Sequence, residues 1–136
     1  MSTPEPDLAL FEAAGGQAGI ETVVRAFYAR VFDDLMIGYL FRRVDRERLI
    51  LVETEFAARA LGATSVRYTG RPLREAHAAH RIQGGQFDRR STLLRETLLA
   101  CGVSEPVRAA WLAHTEALRA LITADGPSIC QAADDP

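Results

Sequence analysis

Two of the three histidines in the chain, His77 and His80, stand one helical turn apart within the stretch Tyr68-Thr-Gly-Arg-Pro-Leu-Arg-Glu-Ala-His-Ala-Ala-His-Arg-Ile82. Gly70 and Pro72 precede them and Gly84-Gly85 follow, so the spacing predicts a short helix over about Leu73 to Ala79 between longer ones. A lone imidazole on a short, adjustable helix suits axial ligation of a haem iron, because the ring lone pair must reach one metal from one side. These two side chains are the first candidates for metal chemistry.

The elements that must position them read as helix after helix. Leu8 to Ala14 gives a short helix that stops at Gly15-Gly16, a pair able to take the positive φ of a sharp turn. Gly19 to Phe32 follows, with Ile20, Val23, Val24, Phe27 and Val31 at helical spacing. Leu35 to Phe41 is short, aromatic and broken by Gly38, as befits a corner packed against the core. Asp45 can cap a helix from about Arg46 to Leu61 whose inner stripe is expected to be Leu49, Val52, Phe56 and Ala60. After a loop from Gly62 to Pro72 and the histidine helix, Phe87 to Cys101 carries Leu93, Leu94, Thr97, Leu98 and Ala100. Ser104 is expected to cap a last helix from Glu105 to Thr123 bearing Val107, Trp111, Leu112, Leu118, Leu121 and Ile122. No strand alternation and no internal repeat is visible. The fold class is all-α.

Composition bounds the function. A chain of 136 residues makes one domain around a single core, with order expected over about 8–123 and frayed tails at 1–7 and 124–136. A net charge of −2 argues against nucleic acid or an anionic membrane as the main partner, since both demand a concentrated basic face. All 16 basic residues are arginine, a composition bias that also suits carboxylate or phosphate recognition. No apolar run reaches the roughly 20 residues that span a bilayer, and the N-terminus lacks a hydrophobic signal core. Cys101 and Cys130 have no metal-type spacing. A soluble, cytoplasmic protein in a reducing compartment is expected.

Periodicity alone would fit an ordinary helical bundle. The order and spacing of local motifs go further: Leu10-Phe-Glu-Ala-Ala-Gly-Gly16, Ile20-Glu-x-Val-Val24, Phe27-Tyr28-x-Arg-Val31, Leu40-Phe41, Glu55-Phe56 through Ala60-Leu61-Gly62, Tyr68-Thr-Gly70, Arg74-Glu-Ala-His77, Ile82, Phe87 and Leu98 through Gly102-Val103. Together, from about Leu10 to Ile122, they resemble a bacterial truncated haemoglobin of the first group. The resemblance implies a two-over-two helical sandwich, a b-type haem and reversible binding of O2, NO or CO. It also carries nitric-oxide dioxygenation served by an external reductase; the oligomeric state stays open.

The resemblance assigns roles residue by residue. His77 falls on the proximal iron ligand, and His80, with Arg74, Arg81 or Arg71, falls near the haem propionates. Tyr28 matches the distal tyrosine whose hydroxyl donates to bound oxygen, a contact that a low-dielectric cavity strengthens. Phe41 matches the aromatic wedged against the haem plane, and Phe27, Leu49, Phe56 and Phe87 are expected to line the pocket.

Two positions depart from the family pattern. Glu53 stands where a neutral residue such as glutamine is usual, and Arg90 where an apolar residue would face the ligand. A lone charge in a dry cavity must pair or change protonation, so the two are expected to pair. A carboxylate beside a cation would serve peroxide or superoxide chemistry better than oxygen carriage. Two alternatives stay open on the residues alone. Glu53, His77, His80 and His114 could serve a non-haem iron in a globin-shaped bundle, although no Glu-x-x-His pair of the di-iron type occurs. The same fold could also act as a metal-free interaction module.

Overall fold

A computed structural model of the chain describes residues 7–70 and 82–123. The expected histidine helix, with Arg71, Arg74, His77, His80 and Arg81, lies outside the described residues, as do residues 1–6 and 124–136 of the tails. Six helices and one 3-10 turn make up the described part: α1 (Ala9–Ala13), α2 (Gly16–Asp33), the turn Gly38–Phe41, α3 (Arg46–Ala60), α4 (Gly84–Ala100), α5 (Glu105–Ala117) and α6 (Arg119–Ile122). A single parallel bridge between Ile82 and Thr123 is the one β interaction among them.

Helix α2 buries Ile20, Val23, Val24, Phe27, Tyr28 and Val31 on one stripe. It starts at Gly16 rather than Gly19, because Gly15 (φ 92°) and Gly16 (φ 68°) turn the chain sharply enough to begin the next helix at once. Its stripe packs mainly on α3 and then on α4, while α4 packs on α5 and α5 on α3. The pair α2/α3 thus lies over the pair α4/α5. Asp34 fixes the corner after α2: its carboxylate accepts from the backbone N–H of Met36 and Ile37 and from Arg89 of α4 at 2.7 Å. The Arg89 guanidinium, helped by those two N–H groups, holds the Asp34 carboxyl below its ordinary range.

Helix α3 begins as its cap requires, with the Asp45 carboxylate accepting from Arg48 N at 3.2 Å. Its register differs from the expected one. The residues buried in the core are Ile50, Thr54, Glu55, Ala57 and Ala58, whereas Leu49, Val52 and Phe56 turn to a cavity on the other side. The helix is apolar on two flanks because it is a partition, and a simple periodicity count picks the flank with the larger side chains. Small residues at Ala57 and Ala58 let the other flank sit close to α2.

Two further differences concern the C-terminal part. Ser104 occupies the N-cap position with extended backbone but its side chain makes no capping hydrogen bond; Pro106 inside the first turn removes one N–H that would otherwise need a partner. The expected single last helix is broken at Leu118, whose N–H turns tightly to Thr115 O at 3.1 Å. That break swings Leu118 and Ile122 into the cavity wall. Helix α4 starts at Gly84, three residues before Phe87, because the Gln86 side chain reaches back to accept from Gln83 N at 2.8 Å.

Candidate functional site

Between the two helix pairs lies a cavity of about 340 Å³. Its described walls are mostly apolar: Phe41 from the 3-10 turn, Leu49, Val52 and Phe56 from α3, Phe87 from α4, and Leu118 and Ile122 beyond α5. Polar side chains also reach it from several elements, Arg48, Thr69, Gln86 and His114 among them, and one cluster joins Tyr28, Glu53 and Arg90. Helices α2, α3 and α4 each contribute one of the three.

Arg90 Nη2 donates to Glu53 Oε1 at 2.9 Å, with the two side chains 17% and 23% exposed. The Arg90 guanidinium also lies over the Phe27 ring, 4.9 Å from its centroid, which supports the cation from behind. Burial works against the Arg90 charge, but the Glu53 carboxylate and Tyr28 outweigh it and the guanidinium is held more firmly protonated. Nη1 of the same group is buried with no hydrogen-bond partner among the described residues.

Tyr28 is 3% exposed. Burial above all, with the nearby Glu53 charge, drives its hydroxyl far above the ordinary tyrosine range, and Arg90 only partly opposes this. It remains a neutral donor at any physiological pH. Phe27, expected on the cavity wall, is instead 1% exposed in the core and is not among the lining residues. The reason is helical geometry: one residue on from Phe27, Tyr28 points about 100° away around α2. Phe41, Leu49, Phe56 and Phe87 do line the cavity.

His114 enters from α5 and packs against Phe56, the rings tilted by 50° with centroids 5.2 Å apart. Its Nε2 is buried without a partner among the described residues, and burial lowers its pKa although the Glu53 charge acts the other way. Phe56, Tyr68 and His114 also line a second cavity of about 220 Å³ beside the first. Among the described residues no cluster of three His, Cys, Asp or Glu side chains could hold a metal ion, and Glu53 is engaged by Arg90.

Several site residues were not singled out by sequence reasoning. Arg48 donates to Thr69 O at 2.8 Å, Glu55 Oε1 accepts from Thr69 N at 3.0 Å and from Thr69 Oγ1 at 2.7 Å, and Arg59 Nη1 donates to Thr64 O at 2.6 Å and Val66 O at 2.8 Å. These bonds strap the loop after α3 along the helix from its first turn to its last. Gly70 closes the strap: a Cβ there would lie 2.5 Å from the Tyr68 hydroxyl and 2.6 Å from Val52. The motif Tyr68-Thr-Gly70 marked the loop without revealing these partners.

A cavity with mostly apolar walls and a polar cluster, lined by two residues whose buried nitrogens have no partner among the described residues, fits a flat apolar macrocycle with a small polar ligand beside it. Comparison with known proteins agrees. Residues 9–124 match the bacterial-like globin family. A group 1 truncated haemoglobin of Tetrahymena thermophila is 31% identical over 98 residues, covering 72% of this chain and 80% of the relative. One from Synechocystis is 35% identical over 100 residues, covering 71% and 80%. The crystal structure of the ferric truncated haemoglobin of Tetrahymena pyriformis superposes with a TM-score of 0.77 at 26% identity, covering 84% of this chain and 97% of that one. The chain belongs to the bacterial-like globins, among the group 1 truncated haemoglobins. Membership implies a haem-binding globin and does not favour the non-haem or metal-free alternatives.

Proposed function

We propose that the cavity takes a b-type haem ligated by His77 and that the protein binds O2 or another diatomic gas on the side of Tyr28. The observation that carries this reading is the buried Tyr28 hydroxyl, presented to a slot walled by Phe41, Leu49, Val52, Phe56 and Phe87 in a chain of this family. When bound, the haem supplies the iron at which the gas coordinates. The chain's own contribution is to hold that iron through one imidazole, exclude water with the apolar walls, and offer the Tyr28 O–H to a ligand that gains negative charge. His80, Arg74 and Arg81 are assigned to the propionates, where exposed pairing contributes on the order of 1 kcal/mol or less. Kinship brings nitric-oxide dioxygenation with an external reductase as a candidate activity, and we place the protein in the cytoplasm. No helix among the described residues is long and apolar enough to cross a membrane.

The test is the absorption spectrum of the purified protein, which should show a Soret band. His77→Ala should abolish or greatly weaken haem retention, since that bond is the one strong tie between iron and protein, while His80→Ala should cost little. Equal losses in the two variants, or a greater loss in His80→Ala, would overturn the proximal assignment.

A further inference from the structure

Tyr28, Glu53 and Arg90 form a polar wall with more chemistry than a gas needs. O2, NO and CO carry no proton, so a ligand of that kind can accept from Tyr28 or Arg90 but has nothing to give a carboxylate. The Glu53 lone pairs would only repel the negative charge that such a ligand gains. Holding an ion pair in a largely buried site also costs desolvation, which a neutral glutamine or leucine would avoid. The arrangement becomes complementary once the ligand brings its own proton.

The donors and acceptors can be matched atom by atom. Arg90 uses Nη2 on Glu53 Oε1, which leaves Glu53 acceptor capacity at its second oxygen and leaves the buried Nη1 N–H without a partner among the described residues. Tyr28 adds an O–H that stays protonated. All three residues line the same small cavity, and a carboxylate beside a guanidinium and a neutral hydroxyl suits a molecule that both donates and accepts.

Resting on the haem reading above, we propose that this wall recognises a small protic ligand of the type H–X, with hydrogen peroxide as the substrate-class member. Glu53 accepts the ligand's proton as X becomes negative, and the Arg90 guanidinium and the Tyr28 hydroxyl stabilise that charge. The step balances: one proton moves from H–X to the Glu53 carboxylate, the negative charge passes from Glu53 to X, and the net charge of the cluster with its ligand is unchanged. No oxidant or reductant enters it. General base assistance of this kind is worth roughly 10²- to 10⁴-fold when the base is well placed, and a paired, partly exposed carboxylate belongs at the lower end.

The experiment uses the haem-loaded protein and two probes, hydrogen cyanide with the ferric form and carbon monoxide with the ferrous form. Cyanide arrives at neutral pH as a protonated acid and binds as an anion; carbon monoxide exchanges no proton. Glu53→Gln should slow cyanide association by about 10- to 100-fold and leave carbon monoxide association nearly unchanged, and Arg90→Leu should speed cyanide release. Glu53→Asp, which keeps a carboxylate, should recover most of the cyanide rate. Cyanide association indifferent to Glu53→Gln, or carbon monoxide slowed in proportion, overturns the proposal. If Glu53→Gln takes up no haem, the native protein decides: cyanide association should slow in heavy water while carbon monoxide association does not, and equal cyanide rates in the two waters overturn it. A native protein that takes up no haem overturns the functional reading as well, whereas haem uptake with cyanide rates indifferent to Glu53 overturns this inference alone.

Discussion

Cutting one side of the Glu53/Arg90 pair should be worse for the fold than removing both. The bond is 2.9 Å long, so the charge centres lie about 4 Å apart, which at an effective dielectric near 20 gives an attraction of about 4 kcal/mol. Side-chain exposures of 17% and 23% place the pair between surface bridges, worth about 0 to 1 kcal/mol, and fully buried ones, whose breakage costs about 3 to 5. Glu53→Gln should therefore destabilise the protein by about 1 to 3 kcal/mol, or roughly 3 to 12 °C in Tm for a chain of this size. Phe27 would still face the unpaired guanidinium and limit the loss. With Arg90→Leu added, the stranded charge is gone and the double variant should be more stable than the sum of the singles implies, by about 1 to 2 kcal/mol. The assay is equilibrium unfolding by heat and urea, on haem-loaded and haem-free protein, for the four members of the cycle. Additive losses within about 0.5 kcal/mol would refute the coupling and with it the electrostatic account of the polar wall.

Other expectations concern neighbouring residues. Tyr28→Phe removes a buried donor worth about 1 to 2 kcal/mol, so O2 dissociation from the ferrous protein should rise roughly 5- to 30-fold with a smaller effect on carbon monoxide; an unchanged O2 off-rate would assign Tyr28 to packing alone. His114 has a lowered pKa in the fold, so the unfolded chain binds its proton more tightly and stability should fall as pH drops from about 6.5 toward the lower folded value. Melting curves across pH 5 to 8 should show this loss in the native protein and less of it in His114→Gln; parallel profiles would rule out His114 as its source.

Where an element has one apolar flank, its role could be read from spacing, as with the α2 stripe from Ile20 to Val31. Helix α3 has two, and only its neighbours decide that Ile50, Ala57 and Ala58 go to the core while Leu49, Val52 and Phe56 face the cavity. Phe27 shows the same limit at the scale of one residue, since burial and cavity lining look alike in a sequence and differ by a rotation about the helix. The proximity of Glu53 and Arg90 could be anticipated because a charge at an inward position demands a partner. The break at Leu118 and the partners of Arg48, Glu55 and Arg59 could not, because each depends on the path of a loop rather than on any local pattern.

The strap along α3 has a bearing on the whole pocket. One flank of that helix carries Leu49, Val52, Glu53 and Phe56, and side chains from its first turn to its last fix residues 64 to 69 by hydrogen bonds. The loop up to Gly70 is therefore anchored on the same helix that bears this wall of the cavity. A shift of α3 would carry Leu49, Val52, Glu53 and Phe56 together with the cavity-lining Tyr68, Thr69 and Gly70, whereas loosening Thr69 from Glu55 would let the loop part from the helix.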